Sequence, residues 1–357
     1  MRVGLLIYGD LYTISGGYLY DRKLVQYLRS QGDEVEIISL PWRNYGSHLA
    51  DNFSGKLLRQ LQELNVVVLL QDELNHPSLF LLNRRLRNLV SYPIISIVHH
   101  LRGSEYHSAW IKSLYRAIER RYLTSVNGFI YNSRTTRKIV EKVVDVGAPA
   151  VVAVPGGDQL SPHVSRKDVA SRLDNNGPLR ILFLGNVIRR KGLHTLIEAL
   201  LQLPEDSWRL SVIGNLIFEG AYVKQIRRMI SKNELDNHIE FSGALRDEAL
   251  SIRMNQCDVL VVPSYFEGYG ISYIEAMGFG MPAIGSTGGA AHEIITDGEN
   301  GYLIVPGDVG TLAARLLGLD ADRQLLKRLS LAALKRYQSH PTWEETGNRI
   351  RNFILGL

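Results

Sequence analysis

Residues 180–201 read RILFLGNVIRRKGLHTLIEALL. An apolar run at 181–184 ends on a glycine, three cations occupy 189–191, and from 193 onward apolar residues recur at helical spacing. A strand with no polar face is buried on both sides, so this strand–turn–helix unit belongs to a parallel sheet covered by helices. The unit repeats in both directions. Toward the N-terminus, strands are predicted over 3–8, 34–39, 66–71, 94–98, 128–132 and 151–154, with helices such as 19–30 and 135–143 between them. Toward the C-terminus, strands are predicted over 210–213, 238–241, 259–262, 282–285 and 303–305, with helices including 193–201 and 247–256. The alternation breaks once, in the polar, turn-rich stretch 155–178, PGGDQLSPHVSRKDVASRLDNNGP. The fold class is therefore α/β, with two doubly wound, Rossmann-like domains joined near 155–178 and expected to face one another across a cleft. Ligands of such sheets bind beyond the carboxyl ends of the strands. From Arg323 the pattern is helical, with Leu325, Leu329 and Ala332 spaced for one face; Pro341 interrupts it, and a last helix is expected over 343–355.

Composition bounds the function. A chain of 357 residues, 45% hydrophobic and 22% charged, can bury more than one core and is not a disordered one. The single cysteine, Cys257, rules out an internal disulfide and fits a reducing compartment. The opening MRVGLLIYGD is too short an apolar run for a signal peptide, and no stretch is long enough to cross a bilayer, so a cytoplasmic protein is expected. Residues 1–160 carry 19 Lys and Arg against 14 Asp and Glu, whereas residues 161–357 carry 22 of each. This modest basic bias suits a phosphate-bearing ligand or an anionic membrane and is too small to imply nucleic acid, for which there is no motif.

Three stretches carry chemistry. Ser15-Gly16-Gly17 closes the loop after the first strand and opens a helix, where backbone N–H groups and the helix dipole favour an anion. The turn does not match G-x-G-x-x-G, which disfavours a dehydrogenase. Arg189, Arg190 and Lys191 stand at a helix start, against the dipole, and so ask for a phosphate; Lys191 is the first choice. In PSYFEGYGISYIEAM, residues 263–277, a strand delivers Glu267 into a glycine-containing loop and the helix after Gly270 carries Glu275 in its second turn. Two carboxylates for hydroxyls, with backbone donors for a phosphate between them, suit a sugar nucleotide.

On these residues the chain resembles the retaining GT-B glycosyltransferases of group 1, or family 4. Glu267 and Glu275 reproduce the E-x7-E motif within EGYGISYIEAMGFGMPAIGS, and LGNVIRRKGLHTLIEAL, GGAAHEIITDGENGYLIVPGD, YNSRTTRKIV, VPGGD and the N-terminal SGG turn extend the match over nearly the whole chain. The resemblance implies an acceptor-binding domain over 1–165, a nucleotide-sugar-binding domain over 166–340, and a terminal helix, 341–357, that crosses back to the first domain. It implies that Glu275 holds the ribose hydroxyls and Glu267 the sugar hydroxyls. Amides around Tyr269, Gly270 and Ile271 would meet the diphosphate, with Gly16 and Gly17 also on the donor, and Lys191 would neutralise the diphosphate. The histidine that ends a first-domain strand and faces the donor sugar in the family is matched by His99 of the His99–His100 pair. His99, Lys191 and Glu267 are thus the expected catalytic residues.

Two departures stand out. The family has Arg directly after the glycine, as in GRxxxxKG, where this chain has Asn186; Arg189 or Arg190 is left to supply that cation. PGGD at 155–158 replaces a PNG-type turn. The activity implied is hexosyl transfer, with retention, from a nucleoside diphosphate sugar (UDP or GDP) to a hydroxyl of a glycan, a lipid-linked or a small-molecule acceptor, in polysaccharide or glycoconjugate biosynthesis. No D-x-D metal motif is present, so neither metal nor cofactor is expected. The competing readings are a non-catalytic nucleotide-binding or partner subunit, which Asn186 would favour, and a nucleotide-sugar epimerase or sugar-phosphate synthase. The stretches 108–123 and 79–90 are basic and amphipathic; packing on the sheet is the favoured reading of both, and peripheral contact with anionic lipid the other. The polar, aromatic-bearing loop 41–55 is the expected acceptor wall.

Overall fold

The computed structural model describes residues 1–357 apart from 106–107, 145–146 and 175–176. The chain divides into two compact units, one of Met1–Pro155 with Trp343–Leu357 and one of Gly156–Thr342. The break falls at Pro155/Gly156, before the expected 165/166, because residues 156–165 pack with the second unit: Gly157 lies against Ile274, Tyr337 and His340.

In the first unit the strands are β1 Arg2–Tyr8, β2 Glu34–Leu40, β3 Val68–Asp72, β4 Ile94–Val98, β5 Gly128–Tyr131 and β6 Ala150–Val152. They form one parallel sheet in the order β2-β1-β3-β4-β5-β6. The central strands β3, β4 and β5 are buried throughout, while the edges β2 and β6 are partly exposed, which is why the central ones read as continuous apolar runs. In the second unit β7 Leu179–Leu184, β8 Trp208–Ile213, β9 Ile239–Gly243, β10 Val259–Val261, β11 Ala283–Ser286 and β12 Gly301–Ile304 make a second parallel sheet, ordered β12-β11-β10-β7-β8-β9. All twelve strands lie where the apolar runs placed them, within a few residues at the ends.

Strand order locates the ligand sites. Each sheet reverses direction once, at β1/β3 in the first unit and at β7/β10 in the second. The loops leaving the carboxyl ends of those strands diverge and open a crevice. The second sheet has the order of the dinucleotide-binding fold, and the first that of the flavodoxin type.

Three expectations are corrected. The stretch 41–55 is not an open loop: it folds into the helix Tyr45–Leu49 and the 3-10 turn Ala50–Phe53, capped by Asn44, whose side chain accepts from Ser47 N. The stretch 79–90 is not one helix but two short ones, His76–Leu79 and Leu82–Leu86. The break falls where Asn52 Oδ1 accepts from Leu81 N (2.8 Å) and Leu82 N (3.3 Å), side-chain bonds that stand in for helical ones. In the helix Arg323–Gln338 the buried face is Leu326, Leu329, Ser330 and Ala333, not one through Leu325 and Ala332. The helix Ala109–Leu123 buries Ile118, Tyr122 and Leu123 but leaves Trp110 and Leu114 exposed. The last helix, Trp343–Leu355, packs on the first unit: Thr346 Oγ1 donates to Val154 O (2.7 Å), Arg351 Nε to Asp33 Oδ2 (2.7 Å), and Trp343 meets Tyr20 edge-on at 5.9 Å. Among the described residues no helix is long and apolar enough to cross a membrane.

Candidate active site

The second unit gathers its charged residues at its switch point. After β7, residues 185–188 lead into the 3-10 turn Arg189–Lys191, and Gly192 starts the helix Leu193–Leu200. After β10, Pro263–Gly270 leads into the helix Ile271–Gly278. The two loops are tied by Tyr265 N donating to Arg190 O (2.8 Å) and Arg190 Nη1 donating to Phe266 O (2.5 Å). This brings Lys191 Nζ onto Glu267 Oε1, which also accepts from Ser264 Oγ (2.6 Å). Both partners are largely buried. Burial lowers the Lys191 pKa, an effect that Glu267 only partly offsets; burial would raise that of Glu267, but Lys191 and Arg190 hold it below its ordinary value. The outcome is an ionised pair with a second cation beside it. Arg189 is engaged elsewhere: its Nη2 donates to Gln225 Oε1 and its guanidinium lies over Tyr222.

The loop backbone around Glu267 is itself held. Glu267 N donates to Gly288 O and Ala290 N to Glu267 O, so the carboxylate stands on a fixed support. Gly270 caps the next helix with φ +98, and a Cβ there would come within 2.4 Å of the Tyr273 ring, so both conformation and space demand glycine. Tyr273 N donates back to Gly270 O (2.9 Å), and Glu275, buried in the second turn, lies on the same short helix. The side chain of Tyr269 points inward, its hydroxyl 3.4 Å from His340 Nε2.

The first unit has its own cluster at its switch point. Ser15 caps the helix Gly16–Ser30, its side chain accepting from Tyr18 N, and no acid occupies the first turn. His99 follows β4 directly and lies against that turn: a Cβ on Gly17 would meet His99 Cδ2 at 3.2 Å. Its carbonyl accepts from Asn132 Nδ2 (2.8 Å), and Tyr20 meets its ring edge-on. His99 Nε2 faces Asp21 Oδ1 at 3.4 Å, and Asp72, at the end of β3, completes a group whose ligand atoms all lie within 4.8 Å of one another. Burial alone would lower the His99 pKa, but Asp21, Asp72 and Glu73 raise it to about 9. Burial and the neighbouring Asp21 raise that of Asp72. His100 turns to Glu105 (2.9 Å). Beside this cluster lies a second, of Glu73, His76 and Glu119. Burial pushes both of these glutamates up to about 7 and His76 down to about 4, and Glu119 accepts from Gly103 N through both oxygens. Each cluster can balance its charge internally, by sharing protons among acids and imidazole, without a metal ion.

Of the residues singled out in the sequence, the structure brings Gly17, beside Gly16, against His99 in the first unit, and Arg190, Lys191, Glu267, Gly270 and Glu275 onto adjoining loops and the helix that follows in the second. Sequence reading missed Ser264, Asp21, Asp72 and the Glu73–His76–Glu119 cluster. Asp21 was legible as the residue one helical turn after Gly17, and Asp72 as the acid ending a strand, as His99 does; neither stands in a motif.

Residues 164–336 match the family model described as glycosyl transferases group 1. The matched stretch lies within the second unit, and over those residues the chain is similar to that family. Among its relatives, the glycogen synthase of Mycobacterium tuberculosis is 24% identical over 269 residues, which cover 74% of this chain and 63% of that protein. The chain therefore spans less than two thirds of the length of that curated relative. Among solved structures, the sucrose-phosphate synthase from Thermosynechococcus elongatus superposes with a TM-score of 0.85 at 20% identity, over 99% of this chain and 98% of that one. The Anabaena HepE protein, solved in complex with UDP-glucose, gives 0.79 at 18% identity over the whole of both chains. The fold is that of the GT-B glycosyltransferases.

Proposed function

We propose that the chain is a retaining hexosyltransferase that moves a sugar from a nucleoside diphosphate sugar, UDP- or GDP-linked, to a hydroxyl of a glycan, lipid-linked or small-molecule acceptor, without metal or cofactor. The observation that carries this reading is the buried Lys191–Glu267 pair with Arg190 beside it at the second sheet's switch point. A buried cation held by a single carboxylate is poised to meet a diphosphate, whose negative charge grows as the sugar leaves. Arg190, rather than Arg189, takes the place of the cation missing at Asn186, because it is the one next to Glu267. Glu275 holds the ribose, Glu267 the sugar, and the amides of Tyr269–Ile271 the phosphates. The sugar departs through a cation-like state, the acceptor attacks on the face the diphosphate leaves, and the departing phosphate oxygen takes the proton. The HepE protein of the same fold, solved with UDP and with UDP-glucose, supports a UDP-linked donor.

The test is a thermal-shift panel of UDP, GDP and ADP with their sugars, followed by turnover with the donor that binds and NMR of the product's anomeric proton. A ligand at about 100 times its dissociation constant should add roughly 2.7 kcal/mol to stability. That gain should vanish in Glu275→Ala. Folded protein that no nucleotide stabilises would overturn the reading in favour of a non-catalytic partner subunit, and an inverted product would overturn retention.

A further inference from the structure

Asp21 is completely buried, and neither of its carboxylate oxygens has a hydrogen-bond donor among the described residues. An ionised carboxylate in that position is costly unless a cation compensates it. The group in reach is the His99 ring, whose Nε2, also buried and without another partner, faces Asp21 Oδ1 at 3.4 Å. Three elements pack charged or titratable groups against that ring: the helix Gly16–Ser30 brings Asp21 and Tyr20, with Tyr18 near Asp21 and Asp72, the end of β3 brings Asp72, and the 3-10 turn Glu73–Asn75 brings Glu73. Asp72 already accepts from Leu74 N, and burial favours the protonated form of both Asp72 and Glu73. One cation against one anion, His99 with Asp21, then leaves the cluster neutral.

We propose that Asp21 is a positioning residue that holds the His99 imidazole in its charged form through Nε2–H, so that Nδ1–H is presented as a fixed donor to an oxygen of the bound substrate. Gly17 leaves room for this close approach: a Cβ there would lie 3.2 Å from His99 Cδ2, so the ring would have to give way slightly. His99 keeps its proton throughout and serves as a cation toward developing phosphate or sugar-oxygen charge, not as a base. The inference rests on the sugar-transfer reading only for the identity of that oxygen; the charge state of His99 does not depend on it.

The experiment is a pH titration of the full chain with ¹⁵N-labelled histidine, followed through the imidazole nitrogens, with the His99 signal assigned by its loss in His99→Gln. In the wild type His99 should remain doubly protonated at about pH 7.5, well past the ordinary histidine midpoint. Asp21→Asn should lower its midpoint by about two pH units or more, and Asp72→Asn by less. With a donor in hand, Asp21→Asn should lower kcat roughly 10- to 100-fold and shift its alkaline limb toward acid, with the donor KM changed by less than about 3-fold. A wild-type His99 that is neutral at about pH 7.5 overturns the proposal even where Asp21→Asn fails to fold. So does a folded Asp21→Asn protein with an unmoved His99 midpoint. A raised, Asp21-dependent His99 in protein that binds no nucleotide confirms this inference and defeats the sugar-transfer reading; a neutral His99 in an active enzyme does the reverse.

Discussion

Lys191 and Glu267 illustrate what a buried charge costs and what it gives. Each neutralises the other in a loop pocket where neither could stand alone, and Ser264 fills one more acceptor site on the carboxylate. Lys191→Ala leaves Glu267 buried without its main partner, and removing one member of such a pair costs about 3 kcal/mol or more. Denaturant unfolding should show that loss. Lys191→Ala with Glu267→Gln should recover most of it, since the stranded charge is then gone, while sugar transfer stays down by roughly 100-fold or more in both proteins. Equal stabilities for the single and double variants would refute the buried-pair account. The motif was readable in the sequence, but the pairing was not: residues 191 and 267 were each assigned to a ligand, and only the folded loops show that in its absence they hold each other.

At the scale of elements, the helix Ala109–Leu123 carries its most informative residue on the face that packing hides. Glu119 sits one turn before the buried Leu123, 1% exposed, with its carboxyl bonded to Gly103 N. Its folded pKa is raised, so between its ordinary value of 4.5 and about 7 the folded state holds a proton that the unfolded state has lost. Stability from this group is therefore greatest at acid pH and falls as pH rises through that window. Glu119→Gln mimics the protonated form and should flatten the fall. Its stability relative to wild type should rise by roughly 2 kcal/mol between about pH 5 and pH 8. A relative stability that does not change with pH would mean that Glu119 is ionised throughout. From the sequence, the helix was legible as amphipathic, with Trp110, Leu114, Tyr115, Ile118 and Tyr122 as its apolar residues; of these Ile118 and Tyr122 are buried, while Trp110 and Leu114 are exposed. A glutamate turned inward was not legible, because burial of a charge depends on Gly103, which arrives from a different segment.

For the whole molecule, the chain's last helix returns to its first unit. Arg351 bonds Asp33 through Nε and Nη2, and the same buried carboxylate accepts from the N-terminal amine of Met1 at 2.7 Å, so one aspartate joins both ends of the chain. Arg351→Ala removes a charge-assisted bond and should lower the protein's melting temperature, by less than loss of both Asp33 partners would, because Met1 remains. Hydrogen exchange should then rise in Trp343–Leu355 and at the start of the first sheet, and stay unchanged in the second unit. Uniform loosening of both units would contradict this anchoring.

Both sheets, all twelve strands and the acidic and basic residues of the second unit's loops were legible in the sequence. Those features are encoded locally: a strand buried on both faces must be apolar, a helix start must leave its amides open, and a glycine at φ +98 can hardly be replaced. Strand order, which turns two sets of parallel strands into two different switch points, came only from the tertiary structure. So did the break of the 79–90 stretch by Asn52 and the meeting of Asp21, Asp72 and His99. Each of these joins residues from separate segments, through side-chain bonds and shared burial that no local pattern records, so their chemistry exists only once the chain has folded.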